Sequence, residues 1–337
     1  MDLTTNYLGL KLKNPLMPGA SPLVDDLDTV RRLEDAGASA IVMHSLFEEQ
    51  IVREEVTTYR NTESHAQSFA EAASFFPPRD AFVLGPEDYL EQIVRIKGAV
   101  SIPVIGSLNG NTPGGWLRYA RDIQHAGADA LELNIYALPS DPEVSGATLE
   151  NHAVEAVEAV CQTVTIPVAV KISPFFTSLP HFARRVERVG ADGLVIFNRF
   201  YEPDIDPDEL EVRRVLVLSH PAELLLRLNW LAVLSPVLRG SLAVTGGIHT
   251  GHDAIRAIMA GAHAVQMTSA LLKHGPARLT QVLRELTEHL EKHEYASLDA
   301  ARGCMNLAFC PEPEAYLRAN YILMLQGYRP RTASERS

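Results

Sequence analysis

Four times along the chain, a helix-like alternation of apolar and polar positions runs into Gly-Ala and then into a short apolar stretch. The stretches are Ala40-Ile41-Val42-Met43 after Gly37-Ala38, Ala130-Leu131-Glu132-Leu133 after Gly127-Ala128, Gly193-Leu194-Val195-Ile196 after Gly190-Ala191, and Ala264-Val265-Gln266-Met267 after Gly261-Ala262. Glycine suits the left-handed position that ends a helix, and a strand apolar on both faces suits a parallel sheet. Two further strands carry proline at the start, where no ladder donor is lost: Ile102-Pro103-Val104-Ile105-Gly106-Ser107 and Ile166-Pro167-Val168-Ala169-Val170-Lys171. Leu16-Met17-Pro18-Gly19-Ala20 near the front and Ser241-Leu242-Ala243-Val244 late in the chain bring the strands to eight. Helical patterns lie between them over 26–36, 87–97, 116–125, 150–164 and 252–260.

Eight strands alternating with helices predict an α/β protein of the (β/α)8 barrel class, a single domain over residues 1–328 with a disordered polar tail at 329–337. A doubly wound sheet is the alternative, but its G-x-G-x-x-G turn is absent after the early strands. Two connections are long, about 47–86 after strand two and 199–221 after strand six. Loops of that size at strand C-termini serve as lids or substrate walls.

The formal charge of -12 over 337 residues argues against a general nucleic-acid binder, which needs basic surface to displace counterions. A small anion held by local groups is still allowed. Cys161, Cys304 and Cys310 are too few and too scattered for a disulfide framework or an iron–sulfur centre. The N-terminus, Met1 to Asn6, has no signal-peptide pattern, and the apolar segment Leu224 to Leu238 is interrupted by Arg227, Asn229, Ser235 and Pro236. The chain therefore reads as soluble and cytoplasmic. His289 and His293, four apart, read as a solvated helix face rather than as a metal site.

Candidate chemistry gathers at strand ends. Val244-Thr245-Gly246-Gly247-Ile248, and then Val265-Gln266-Met267-Thr268-Ser269-Ala270, end apolar runs in small residues that let a phosphate approach backbone N–H groups. Consecutive late strands of an eightfold barrel are where such ligands are held. Lys171 ends an apolar strand, which aims its ammonium at the barrel mouth, while Asn109, Asn134 and Asn198 offer amide groups there.

On these residues the chain resembles the dihydroorotate dehydrogenase family of FMN-binding barrels, over about residues 3–327. Leu8-Gly9-Leu10-Lys11-Leu12-Lys13-Asn14-Pro15 is similar to the family's N-terminal hairpin, Leu131-Glu132-Leu133-Asn134 to its fourth strand, and Val170-Lys171 to its fifth. Gly246-Gly247-Ile248, with Gly251 and Ala254, is similar to its phosphate stretch. The resemblance implies FMN held by Ala20, Ser21, Ser45, Asn109, Asn134, Lys171, Asn198, Gly246, Gly247, Thr268 and Ser269. Lys171 would stabilise the reduced ring, and Asn134 and Asn198 would bind substrate; Arg199 stands where the family usually has serine, and beside Asn198 it is a separate candidate to clamp a substrate carboxylate.

The chain departs from the family where the proton is moved. Ala137 stands at the position of the family's cysteine or serine base, Pro139 replaces a substrate asparagine, and the stretch 72–77 lacks the family's loop pattern. His44 stands where a lysine is expected, beside a matching Ser45. If proton transfer survives, His44, Tyr136, Ser140 or Asp141 performs it; His44 has the best-placed solution pKa. The expected function is hydride transfer from dihydroorotate, or a related small cyclic or unsaturated acid, to FMN. Two readings compete: a flavin-bearing electron-transfer subunit, and a flavin-free phosphate-sugar isomerase or lyase. A homodimer and a soluble electron-transfer partner are the expected associations.

Overall fold

The computed structural model describes residues 1–47, 85–110, 116–136, 139–199, 202–213 and 215–327. Most of the expected long loop after strand two, including 72–77, lies outside the described residues, as do Ala137 and the tail at 329–337. Barrel strands one to eight are Leu16–Pro18, Ile41–Val42, Val104–Gly110, Ala130–Ile135, Val168–Ile172, Gly193–Ile196, Ser241–Thr245 and Ala264–Met267. Each pairs in parallel with its sequence neighbour from strand two round to strand eight, and strand eight pairs with strand one. Between strands one and two the Ser39 N–H and hydroxyl both donate to the Leu16 carbonyl, at 2.9 and 2.7 Å. This is the eightfold barrel predicted from the strand pattern.

The repeated Gly-Ala turn has the expected conformation. Gly37, Gly127, Gly190 and Gly261 have φ of 105°, 95°, 110° and 125°, a region that side chains with a Cβ avoid. Expected helices appear at Leu27–Asp35, Pro86–Ala99, Trp116–His125, Gly146–Thr163 and Gly251–Ala260. The fourth starts ahead of the apolar pattern because Ser145 caps it, its hydroxyl accepting from the Thr148 N–H at 3.1 Å. Among the described residues of the connection after strand six, Asp204–Asp206 and Glu211–Arg213 pair as an antiparallel hairpin.

The N-terminal hairpin, Thr5–Tyr7 against Leu10–Leu12, turns through Leu8 and Gly9, both with positive φ. Its Tyr7, Leu8 and Leu12 pack against Val42, Ala130 and Ala243, closing the floor of the barrel with apolar atoms. Polar side chains inside the barrel therefore sit above a dry floor.

One half-buried histidine ties this floor to the C-terminal region. His263 Nδ1 accepts from the Leu242 N–H at 3.1 Å, and burial, then the Arg302 charge, pushes its pKa down from 6.5 to about 4. Between those values the unfolded chain binds more protons than the folded one, so stability falls as pH drops through that window. The penalty is absent above 6.5 and saturates below the folded value at roughly 3 kcal/mol. Urea unfolding across this range should show the wild type losing that much more stability than His263→Asn, whose amide oxygen still accepts from Leu242.

Candidate active site

Alternation along the barrel strands decides which side chains enter the barrel. Ile105, Ala130, Ala169 and Ala264 belong to the inner floor, whereas Val104, Leu131, Val170 and Val265, one position along from each, pack outward against the helices. Two residues above the floor, the same parity brings in Ser107, Glu132, Lys171 and Gln266, and four above it Asn109 and Asn134. A polar layer thus sits on the apolar floor.

Its centre is charged. Glu132, 0% exposed, accepts from Lys171 Nζ at 3.0 Å through one oxygen and from Gln266 Nε2 at 2.5 Å through the other. Lys171 is itself buried, and its two other N–H groups have no protein partner among the described residues. The charge reaches its neighbours: the Tyr7 hydroxyl is pushed far above its ordinary pKa by burial and, secondarily, by Glu132.

Above this pair the two expected asparagines meet, Asn198 Nδ2 donating to Asn134 Oδ1 at 2.8 Å, and Asn109 lies in register with Asn134 on the next strand. Ser45 and Ser107 share a hydroxyl–hydroxyl hydrogen bond of 2.8 Å. Tyr89 fixes Ser107, donating to its carbonyl at 3.0 Å and accepting from its N–H at 2.8 Å. At the end of strand two, His44 Nδ1 lies 2.7 Å from Asp25 Oδ1, a close approach off the line of an ideal hydrogen bond, and its ring meets Tyr89 edge-on at 5.1 Å. Burial lowers the His44 pKa below 6.5, and the Asp25 charge opposes that shift in part. Tyr136 is half-buried just past strand four.

The end of strand one comes close to strand eight. A Cβ on Gly19 would stand 2.5 Å from Thr268 Oγ1, and the buried Ser21 hydroxyl has no hydrogen-bond partner among the described residues. Ala20 is half-buried between them. At strand seven, Gly246 and Gly247 have φ of 90° and 76°. The Gly247 N–H donates to Ser219 Oγ at 3.1 Å, and the Ser219 N–H donates to Ser269 Oγ at 2.8 Å. Ser219 thus occupies the donor that the sequence assigned to a phosphate.

Asp25, Ser107, Ser219 and Arg227 carry contacts at this mouth that the sequence did not announce, and Glu132 and Gln266 a pairing it did not. Arg227 had looked like a mere interruption of an apolar segment. It is buried, its Nε donates to the Thr245 carbonyl, its Nη1 donates to the Glu223 carbonyl at 2.7 Å, and a Cβ on Gly246 would meet its guanidinium at 2.6 Å. Strand alternation could have shown Glu132 and Gln266 facing inward, since each is an isolated polar residue sharing parity with an alanine of the floor. Arg199 is exposed, 4.0 Å from Glu223.

The layer fits the group that the resemblance implies. A flavin mononucleotide needs hydrogen-bond partners for a planar polar edge and close backbone approach for a phosphate. Among the described residues, Lys171 has two N–H groups and Ser21 a buried hydroxyl without a partner, and Gly246 and Gly247 present backbone at positive φ with no side chain. A 680 Å³ cleft lined by Asn6, Gly9, Arg184 and Arg239 lies beside the hairpin at the opposite end and contains none of these residues. Among the described residues, no three His, Cys, Asp or Glu side chains are grouped to hold a metal ion, and no helix is long and apolar enough to cross a membrane.

Comparison with known proteins points to one enzyme family. A family model described as Dihydroorotate dehydrogenase matches residues 227–290. The catalytic subunit of dihydroorotate dehydrogenase B (NAD(+)) of Thermoplasma acidophilum is 27% identical over 319 residues, 90% of this chain and 98% of the relative. That of Citrifermentans bemidjiense is 30% identical over 238 residues, 66% of this chain and 75% of the relative. That of Geobacillus kaustophilus is 27% identical over 277 residues, 80% and 84% of the two chains. With the barrel order and the inward Lys171, these similarities place the chain in the dihydroorotate dehydrogenase family, as an oxidoreductase.

Proposed function

We propose that the protein binds FMN across the barrel mouth and oxidises dihydroorotate, or a closely related small cyclic or unsaturated acid, at a CH–CH bond. The observation that carries this reading is Lys171, a buried lysine on the inner face with two N–H groups unpartnered among the described residues. FMN, when bound, supplies the hydride acceptor. Lys171, Asn109, Asn134 and Asn198 would hold its ring, with Ala20, Ser21 and Ser45 against it. Gly246, Gly247, Thr268 and Ser269 would hold its phosphate, with Ser219 giving up its bond to Gly247.

The chain must also take a proton from the substrate carbon, and Ala137 cannot. His44 can. Burial keeps it neutral near pH 7, and Asp25 beside Nδ1 favours the proton there, leaving Nε2 to accept. Anaerobic mixing of dihydroorotate with FMN-loaded protein should bleach the flavin absorbance, and His44→Gln should slow the bleaching by about 10²–10⁴-fold. Bleaching at an undiminished rate would pass the role to Tyr136, Ser140 or Asp141. Failure of dihydroorotate to bleach the wild type would move the substrate elsewhere.

Arg199, exposed beside Asn198, is a clamp for the acid's carboxylate that must leave Glu223 to bind it. Arg199→Ala should weaken an acidic ligand by roughly tenfold, about 1.4 kcal/mol, in a spectral titration. Unchanged affinity would retire the clamp. The relatives are named as catalytic subunits of an NAD(+)-linked enzyme, which supports a soluble electron-transfer partner as the acceptor and a place in pyrimidine synthesis.

A further inference from the structure

We propose that Glu132 is a charge counterweight to Lys171, so that the lysine offers hydrogen bonds to the bound cofactor with no net charge behind them. The inference rests on the FMN reading above. Three observations support it. Glu132 is wholly buried, so solvent does not screen its charge. Its two oxygens are committed to Lys171 and Gln266, which fix the carboxylate below the ammonium. Among the described residues, Lys171 is the cation paired with it, at 3.0 Å.

A lone buried lysine beside an electron-accepting ring would raise the ring's affinity for electrons by its full charge. A carboxylate 3.0 Å behind it offsets most of that field while keeping the lysine's N–H groups aimed. Glu132 therefore acts through Lys171 as a positioning residue. It holds the reduction potential of the bound cofactor lower than the lysine alone would set it, which leaves the reduced cofactor a better donor to the acceptor that follows.

The charge arithmetic makes a ladder of variants. The pair sums to zero in the wild type, to plus one in Glu132→Gln, to minus one in Lys171→Met, and to zero in the double variant. Glu132→Gln is nearly isosteric, and Gln266, whose buried Oε1 has no partner among the described residues, can turn that oxygen toward the new amide. The midpoint potential of bound FMN is measured by dye-linked anaerobic titration at one fixed pH for all four proteins.

The counterweight predicts Glu132→Gln above the wild type, Lys171→Met below it, and the double variant close to it. A double variant that matches Lys171→Met, or a Glu132→Gln potential equal to or below the wild type, overturns the proposal; a purely structural Glu132 would shift the unfolding midpoint without this ordering. If Glu132→Gln does not fold, the comparison of Lys171→Met with the double variant decides alone, and failure of the double variant to recover from the single one counts against the counterweight. Wild-type protein that takes up no FMN refutes the underlying reading, and this is seen before any variant is made.

Discussion

Replacing Lys171 with methionine is expected to cost both stability and turnover. The substitution leaves Glu132 buried with only Gln266 as a partner, and breaking a buried ion pair from one side costs about 3–5 kcal/mol. Flavin bleaching by dihydroorotate should slow by about 10²–10³-fold, the usual effect of removing one fixed donor from the reacting centre. Lys171→Arg should recover stability in part and rate poorly, because a planar guanidinium cannot reproduce an ammonium that bonds Glu132 below and a ligand above. A Lys171→Met protein as stable as the wild type would mean that the ion pair contributes nothing to the fold.

The second large effect is expected at Gly247. Its φ of 76° costs a residue with a Cβ about 1–2 kcal/mol, and that Cβ would lie 2.5 Å from the Leu224 backbone nitrogen. Neither the strand end nor the start of helix Leu224–Leu234 can yield easily, since Arg227 of that helix is bonded to Thr245 on the same strand. Gly247→Ala should therefore displace the backbone that is to meet the phosphate, weakening FMN by more than tenfold, about 1.4 kcal/mol or more, with a smaller loss of stability. Ser219→Ala is the informative control. It frees the Gly247 N–H without moving the strand, and should leave FMN affinity equal or improved.

Much of the barrel was legible in the sequence because its signals are local. Each Gly-Ala turn states a helix end and a strand start within a few residues, and all four glycines adopt the conformation that the pattern required. The start of helix Gly146–Thr163 was less legible, since its first turn has a serine cap and no apolar periodicity. The placing of Lys171 and Asn134 on the inner face could also be read, because both are polar side chains at the ends of apolar strands.

Their partnerships could not be read in the same way. Glu132 and Lys171 meet only because strands four and five pair in a register that sets Asn134 opposite Lys171, and sequence spacing carries no trace of that register. Asp25 reaches His44 from the turn that follows strand one, and Ser219 reaches Gly247 from a loop with no repeating pattern. These contacts are long in sequence and short in space. They are the contacts that the proposed chemistry uses, and the resemblance alone left its proton acceptor open.

Titration of the flavin-stripped protein with FMN, followed by quenching of flavin fluorescence, tests the central claim most directly. Stoichiometric quenching that is saturable in the wild type, weakened by Gly247→Ala and altered in Lys171→Met is the result this account predicts. A wild-type protein that leaves FMN fluorescence unquenched across the titration would contradict it.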